Sequence, residues 1–64
     1  MTGKQLKELL DKLEIRQRRF ADLAGLQEPF LSNFLNGRIK FNPGDDRFVR
    51  MTAIANALEV GEVD

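Results

Sequence analysis

Leu6, Leu9, Leu10 and Leu13 recur at intervals of three and four, and the residues between them are Lys, Glu and Asp. That periodicity predicts an amphipathic helix over residues 3 to 13, and Thr2 and Gln5 before it are spaced as a capping box. Lys4 with Glu8, Lys7 with Asp11 and Glu8 with Lys12 place opposite charges four apart on its polar face. Such pairs are worth only about 0.2–0.5 kcal/mol each, so they read as surface support. Ile15 should drop into the core as the chain turns. A second helix is expected from Gln17 to Ala24. Pro29 marks the start of a third, because a proline is tolerated in a first turn whose amides have no helical partner. That helix should begin near Gln27 or Glu28 and end at Asn36-Gly37, a pair suited to a left-handed cap.

The loop RIKFNPGD contains a Pro-Gly turn and two apolar residues, Ile39 and Phe41, expected to tuck back against the core. Asp45 or Asp46 should cap a last helix whose apolar series is Phe48, Met51, Ile54, Ala55 and Leu58. The tail VGEVD is short and acidic and is expected to fray. Strand-like alternation, repeats and low-complexity segments are absent from the sequence. The expectation is an all-α, compact four- to five-helix bundle forming one domain over residues 1–64.

The middle of this pattern is the most constrained. Phe20, Ala24, Leu26, Leu31 and Phe34 are apolar where two short crossed helices must touch, while Ala21 and Gly25 are small where bulk would obstruct the crossing. Gly25 also falls where the first of those helices must stop, a site that often needs positive φ. Residues 17–36 thus carry the spacing of a helix-turn-helix, a motif whose second helix lies in the DNA major groove.

Composition narrows the chemistry. The 64 residues include no cysteine and no histidine, which removes disulfides, thiolate metal sites, the commonest general base and the imidazole ligand. Metal, cofactor and small-molecule substrate are not expected, and neither is an enzyme. No apolar run approaches the roughly 20 residues of a membrane span, and the start MTGKQLKELL lacks signal-peptide order, so a cytoplasmic protein is expected. A net charge of zero argues against a nucleic-acid partner, but the distribution of charge points the other way. Residues 15–44 hold Arg16, Arg18, Arg19, Arg38 and Lys40 against Asp22 and Glu28, a net of +3, and residues 45–64 carry −3. The plain alternative is that these charges only solvate helix faces.

From LKELLDKLEIRQRRFADLAGL through FLSNFLNGR to IANALEV, the chain resembles the lambda-repressor-like, or Cro/C1-type, DNA-binding domains of phage repressors and Cro proteins. The resemblance implies that Gln17 holds a DNA phosphate through its side chain and backbone amide. It implies that Gln27, Glu28, Pro29, Ser32 and Asn33 face base edges, and that Asn36, Arg38 and Lys40 grip the backbone across the groove. Some members pair an Arg in the first helix with a Glu in the third; the matched positions here are Leu10 and Leu35, an apolar pair that can replace buried ions without loss of stability. The loop before the last helix is longer than in compact repressors, and the chain ends where relatives often continue into a dimerisation element.

Chemistry ranks these residues. Side-chain amides pair in bidentate fashion with N6 and N7 of adenine, which favours Gln27 and Asn33 as base readers; the other reading of Gln27 is a helix cap. Glu28 suits a helix N-terminus with or without DNA, and in a groove it would need a cytosine N4 amine. Ser32 suits a base or a phosphate, and Pro29 sets the helix start and offers an apolar contact. Phe30 could meet a thymine methyl, but its spacing to Phe34 favours core. Arg16, Arg18 and Arg19 crowd the positive end of a helix dipole, a local cost that suggests phosphate contact for Arg16 and Arg18, with at least one arginine facing solvent. The expected partner is double-stranded operator DNA, bound by a homodimer at least on DNA. The rival is a protein-interaction module of antitoxin or antirepressor type, which would show an apolar strip through Leu23, Leu26, Phe30 and Leu35.

Overall fold

Thr2 opens the first helix by the expected reciprocal bonds: its Oγ1 accepts from the Gln5 amide at 3.1 Å, and the Gln5 side chain accepts from the Thr2 amide at 2.9 Å. The computed structural model describes residues 1–61. Within them the chain forms four helices and no strand, α1 Gly3–Lys12, α2 Gln17–Ala24, α3 Glu28–Leu35 and α4 Asp46–Glu59. Val60 and Gly61 follow the last helix, and the rest of the tail expected to fray lies outside the described residues.

The helix ends follow from local chemistry. Leu13 closes α1, and Glu14 then takes a left-handed conformation with φ 57°. This lets the Glu14 amide reach Asp11 O at 3.2 Å and the Ile15 amide reach Leu10 O at 2.9 Å, so two terminal carbonyls find donors. Ile15 is thereby turned onto the core, half-buried, as expected. A left-handed residue with a Cβ costs roughly 1–2 kcal/mol. Glu14→Gly is therefore expected to stabilise the domain by about 1 kcal/mol, seen as a thermal midpoint about 4–8 °C higher. A lower midpoint would show that the Glu14 side chain contributes more than its backbone costs.

Gly25 ends α2 with φ 67°, and the Leu26 amide returns to Ala21 O at 2.8 Å. A Cβ on Gly25 would meet only the flexible tip of Arg50 at 3.1 Å, so glycine is required here by the backbone turn rather than by helix crowding. Ala21, at 1% exposure, is the position where bulk is excluded. Pro29 stands in the first turn of α3, and Asn36 and Gly37 end that helix, the latter with φ 77°. Asp45 caps α4 by accepting the Arg47 amide at 2.9 Å.

The core collects Leu6 and Leu10 from α1, Phe20, Ala21 and Ala24 from α2, Leu31, Phe34 and Leu35 from α3, and Phe48, Met51, Ala55 and Leu58 from α4. Leu26 joins it from the turn, while Ile39, Phe41 and Ile54 pack against it half-buried. Phe41 anchors the long loop, its ring centroid 5.3 Å from Phe48 and 6.5 Å from Phe34. Leu10 and Leu35 are both buried, as an apolar pair should be. The charge pairs expected along α1 are not closed; close ion pairs form instead at the start of α4, between Arg47 and Asp45 and between Arg50 and Asp46. Long exposed side chains lose rotamer entropy on pairing for little Coulomb gain, which explains the open pairs on α1.

Candidate functional site

At about 100° per residue, α3 divides cleanly into two arcs. Phe30, Leu31, Phe34 and Leu35 occupy one, and three of these four are buried. Glu28, Pro29, Ser32, Asn33 and Asn36 occupy the other, exposed or half-buried, with Gln27 at the N-cap. Gln27 makes no side-chain capping bond, so its amide is not committed to the helix end. The structure thus places four of the five candidate base readers, Glu28, Pro29, Ser32 and Asn33, on one accessible arc, with Gln27 at the helix start beside Leu26 and Phe30.

Two side-chain bonds organise that face. Asn33 Oδ1 accepts from Arg38 Nη1 at 3.3 Å, and Ser32 Oγ accepts from Asn36 Nδ2 at 3.4 Å. The first ties a residue of the helix to one beyond its cap. Chain geometry makes this possible, because the Arg38 amide also returns to Asn33 O at 2.9 Å. An amide oxygen has two lone pairs, so Asn33 Oδ1 can hold Arg38 and still accept a second donor. Lys40 stands further along the loop, exposed.

The other candidates for phosphate contact separate. Gln17 lines a cleft of about 380 Å³ at the meeting of α1, α2 and the end of α3, with Lys7, Glu14, Arg16 and Leu35. Arg18 and Arg19 line a different cleft of about 370 Å³ with Arg16, Asp22 and Leu23. Arg16 borders both, and its side chain makes no capping bond to α2. Gln17 and Arg16 therefore adjoin the end of α3, while Arg18 belongs with Arg19 on the outer arc of α2.

Arg47 and Arg50 were missed by sequence reasoning, which counted them within the acidic C-terminal stretch. The Arg47 guanidinium lies 4.1 Å above the Phe30 ring, and with Arg50, Gly25, Leu26 and Gln27 it lines a cleft of about 340 Å³ beside the α2–α3 turn. The available signal was the Asp46/Arg50 spacing of four, which is closed at 3.2 Å. Arg47 donates Nε and Nη2 to the Asp45 carboxylate at 3.2 and 2.8 Å. Those side-chain bonds, and then the Arg47 amide, hold the Asp45 carboxyl below its ordinary range, and the same pairing raises Arg47.

The strip through Leu23, Leu26, Phe30 and Leu35 is not an exposed apolar face. Leu26 and Leu35 are buried, Leu23 and Phe30 are half-buried, and Arg47 covers the Phe30 ring. Among the described residues the exposed large hydrophobics are Val49 and Val60, both on or next to α4. No helix among the described residues is long and apolar enough to cross a membrane. Compared with protein-family models, curated proteins and solved structures, the chain has no match in any of the three.

Proposed function

We propose that this chain is a sequence-specific double-stranded DNA-binding regulator of the phage repressor or Cro type, with α2 and α3 as its helix-turn-helix. It catalyses no reaction and acts in the cytoplasm. Helix α3 enters the major groove of an operator, and its polar arc reads base edges. The observation that carries the reading is that arc itself: Glu28, Pro29, Ser32 and Asn33 share one accessible face of a helix whose other face is core, and Gln27 stands exposed at its N-cap. Phosphate-binding candidates stand beside it, with the cation Arg38 bonded to Asn33 and the cation Arg16 and the neutral amide of Gln17 beside the end of α3. Phosphate contacts by such groups set register, and base contacts set sequence. A single small domain covers little DNA, so two copies on half-sites one turn apart complete the reading.

The protein-interaction alternative is less favoured because Leu26 and Leu35 are buried and Phe30 lies under Arg47. The test is selection from a randomised duplex pool at low salt, followed by titration of the recovered site. Binding should weaken steeply with salt. Asn33→Ala should lose about 1–3 kcal/mol of discrimination at one or two positions. Arg38→Ala should weaken all sequences and, through its bond to Asn33, also relax preference at the Asn33 position. A pool that yields no enriched duplex sinks the proposal.

A further inference from the structure

Arg47 and Arg50 lie in the stretch of residues 45–64 whose net charge is −3, yet the fold carries both to the N-terminal end of α3. Arg47 is held over Phe30 at 4.1 Å. Arg50 Nη1 comes within 3.1 Å of the point that a Cβ on Gly25 would occupy. Gln27, a candidate base reader, lines the same cleft. Both guanidiniums remain accessible, with side-chain exposures of 50% and 45%.

The two differ in what their tethers leave over. Arg47 gives Nε and Nη2 to Asp45 and its guanidinium carbon stands over the Phe30 ring. Arg50 meets Asp46 through Nε, at 3.2 Å, while Nη1, beside Gly25, and Nη2 make no hydrogen bond to the described residues. Those two groups form the planar fork that matches a pair of phosphodiester oxygens. The Asp46 side chain is 82% exposed, and a solvent-screened pair of this kind is worth little. Exchanging it for a phosphate therefore costs little.

We propose that Arg50, with Arg47 beside it, is a backbone clamp that grips a DNA phosphodiester next to the α2–α3 turn, and that Asp46 holds the guanidinium when duplex is absent. This assignment rests on the DNA-binding reading above. It gives α3 a phosphate anchor at its N-terminal end to match Arg38 and Lys40 at the other, and two anchors fix the tilt of a helix in the groove. It also places positive charge at the end of α3 that carries Glu28, offsetting the repulsion between that carboxylate and the backbone.

The test uses the duplex recovered by selection and measures affinity against salt for the parent chain, Arg50→Gln, Arg50→Lys, Asp46→Asn and the double variant Asp46→Asn/Arg50→Gln. Thermal melts of the same proteins establish that each is folded. Removing one phosphate contact should lower the slope of log affinity against log salt by about 0.9 and weaken binding roughly three- to tenfold, equally across sequences. Arg50→Lys should keep the slope and lose part of the affinity. Asp46→Asn should tighten binding only slightly, and the part of that gain that acts by freeing Arg50 should be lost in the double variant. An Arg50→Gln slope equal to the parent's, beside an Arg38→Ala variant that does respond, overturns this assignment alone. So does an Asp46→Asn gain that persists in full without Arg50. A parent chain that binds no duplex overturns the assignment and the reading beneath it together.

Discussion

Phe48→Ala is expected to remove a large part of the stability of the domain. Phe48 is 2% exposed, and its ring centroid lies 5.4 Å from Phe30, 5.1 Å from Phe34 and 5.3 Å from Phe41. It is the hub through which α4 holds both α3 and the long loop. Truncating a buried phenylalanine to alanine costs about 3–5 kcal/mol through lost transfer energy and the cavity left behind. A domain of this length holds roughly 3–10 kcal/mol in total, so the loss consumes much or all of it. At about 4–8 °C per kcal/mol the thermal midpoint should fall by at least 12 °C, followed by far-ultraviolet circular dichroism. Phe48→Leu, which keeps most of the apolar volume, should lose markedly less. A midpoint for Phe48→Ala within a few degrees of the parent's would mean that the four rings do not pack as described. The same variant should lose the ordered polar arc of α3, because Phe30 and Phe34, which orient that helix, both rest on Phe48.

What could be read in advance divides by distance along the chain. Helix ends are local events: the Thr2/Gln5 box, the Pro29 start, Gly25 and the Asn36-Gly37 stop, and the Asp45 cap each involve residues within a few positions, and residue type announces them. The core was legible for the same reason, since helical periodicity sorts residues such as Phe20, Leu31 and Met51 onto one side before any partner is known. Contacts between distant segments were not legible. Nothing around Arg47 says that it will lie over Phe30, and the charge count that set residues 45–64 apart as acidic hid two cations at the candidate site. Local accidents were missed too. Glu14 adopts a glycine's conformation because the two bonds it completes and the burial of Ile15 outweigh its backbone cost. Asn33 and Arg38 read as separate contacts, but the tight cap of α3 brings their side chains together. The polar arc of α3 was legible residue by residue, whereas the coupling among its members was not.

Gly3 is the extreme case of a residue whose importance is invisible locally. By intrinsic propensity, Gly3→Ala should stabilise α1, since alanine exceeds glycine by up to about 1 kcal/mol in a helix. The opposite sign is expected. Gly3 is buried in the first turn of α1, and a Cβ there would overlap the carbonyl oxygen of Phe34 and stand 2.9 Å from the Phe34 carbonyl carbon and 3.1 Å from Leu35 Cα. These are backbone atoms, so no rotamer change relieves the clash. The Phe34 oxygen is also committed, accepting the Gly37 amide at 3.1 Å in the cap of α3. The added methyl must therefore either unwind the first turn of α1 and its capping box or push α1 away from α3. Overpacking against fixed neighbours costs about 1–3 kcal/mol, occasionally more, and the upper part of that range applies to a backbone obstacle. The net loss should be about 2 kcal/mol, or a midpoint lower by about 8–16 °C. Gly44→Ala is the matched control, because a Cβ at Gly44 meets only Asn42 Oδ1 at an ordinary 3.4 Å, and its midpoint should stay near the parent's. If Gly3→Ala instead melts at or above the parent temperature, propensity has won and α1 does not pack against the end of α3. If it melts lower as expected, the Asn36 and Arg38 end of the candidate interface is held in place from behind by the first turn of the chain.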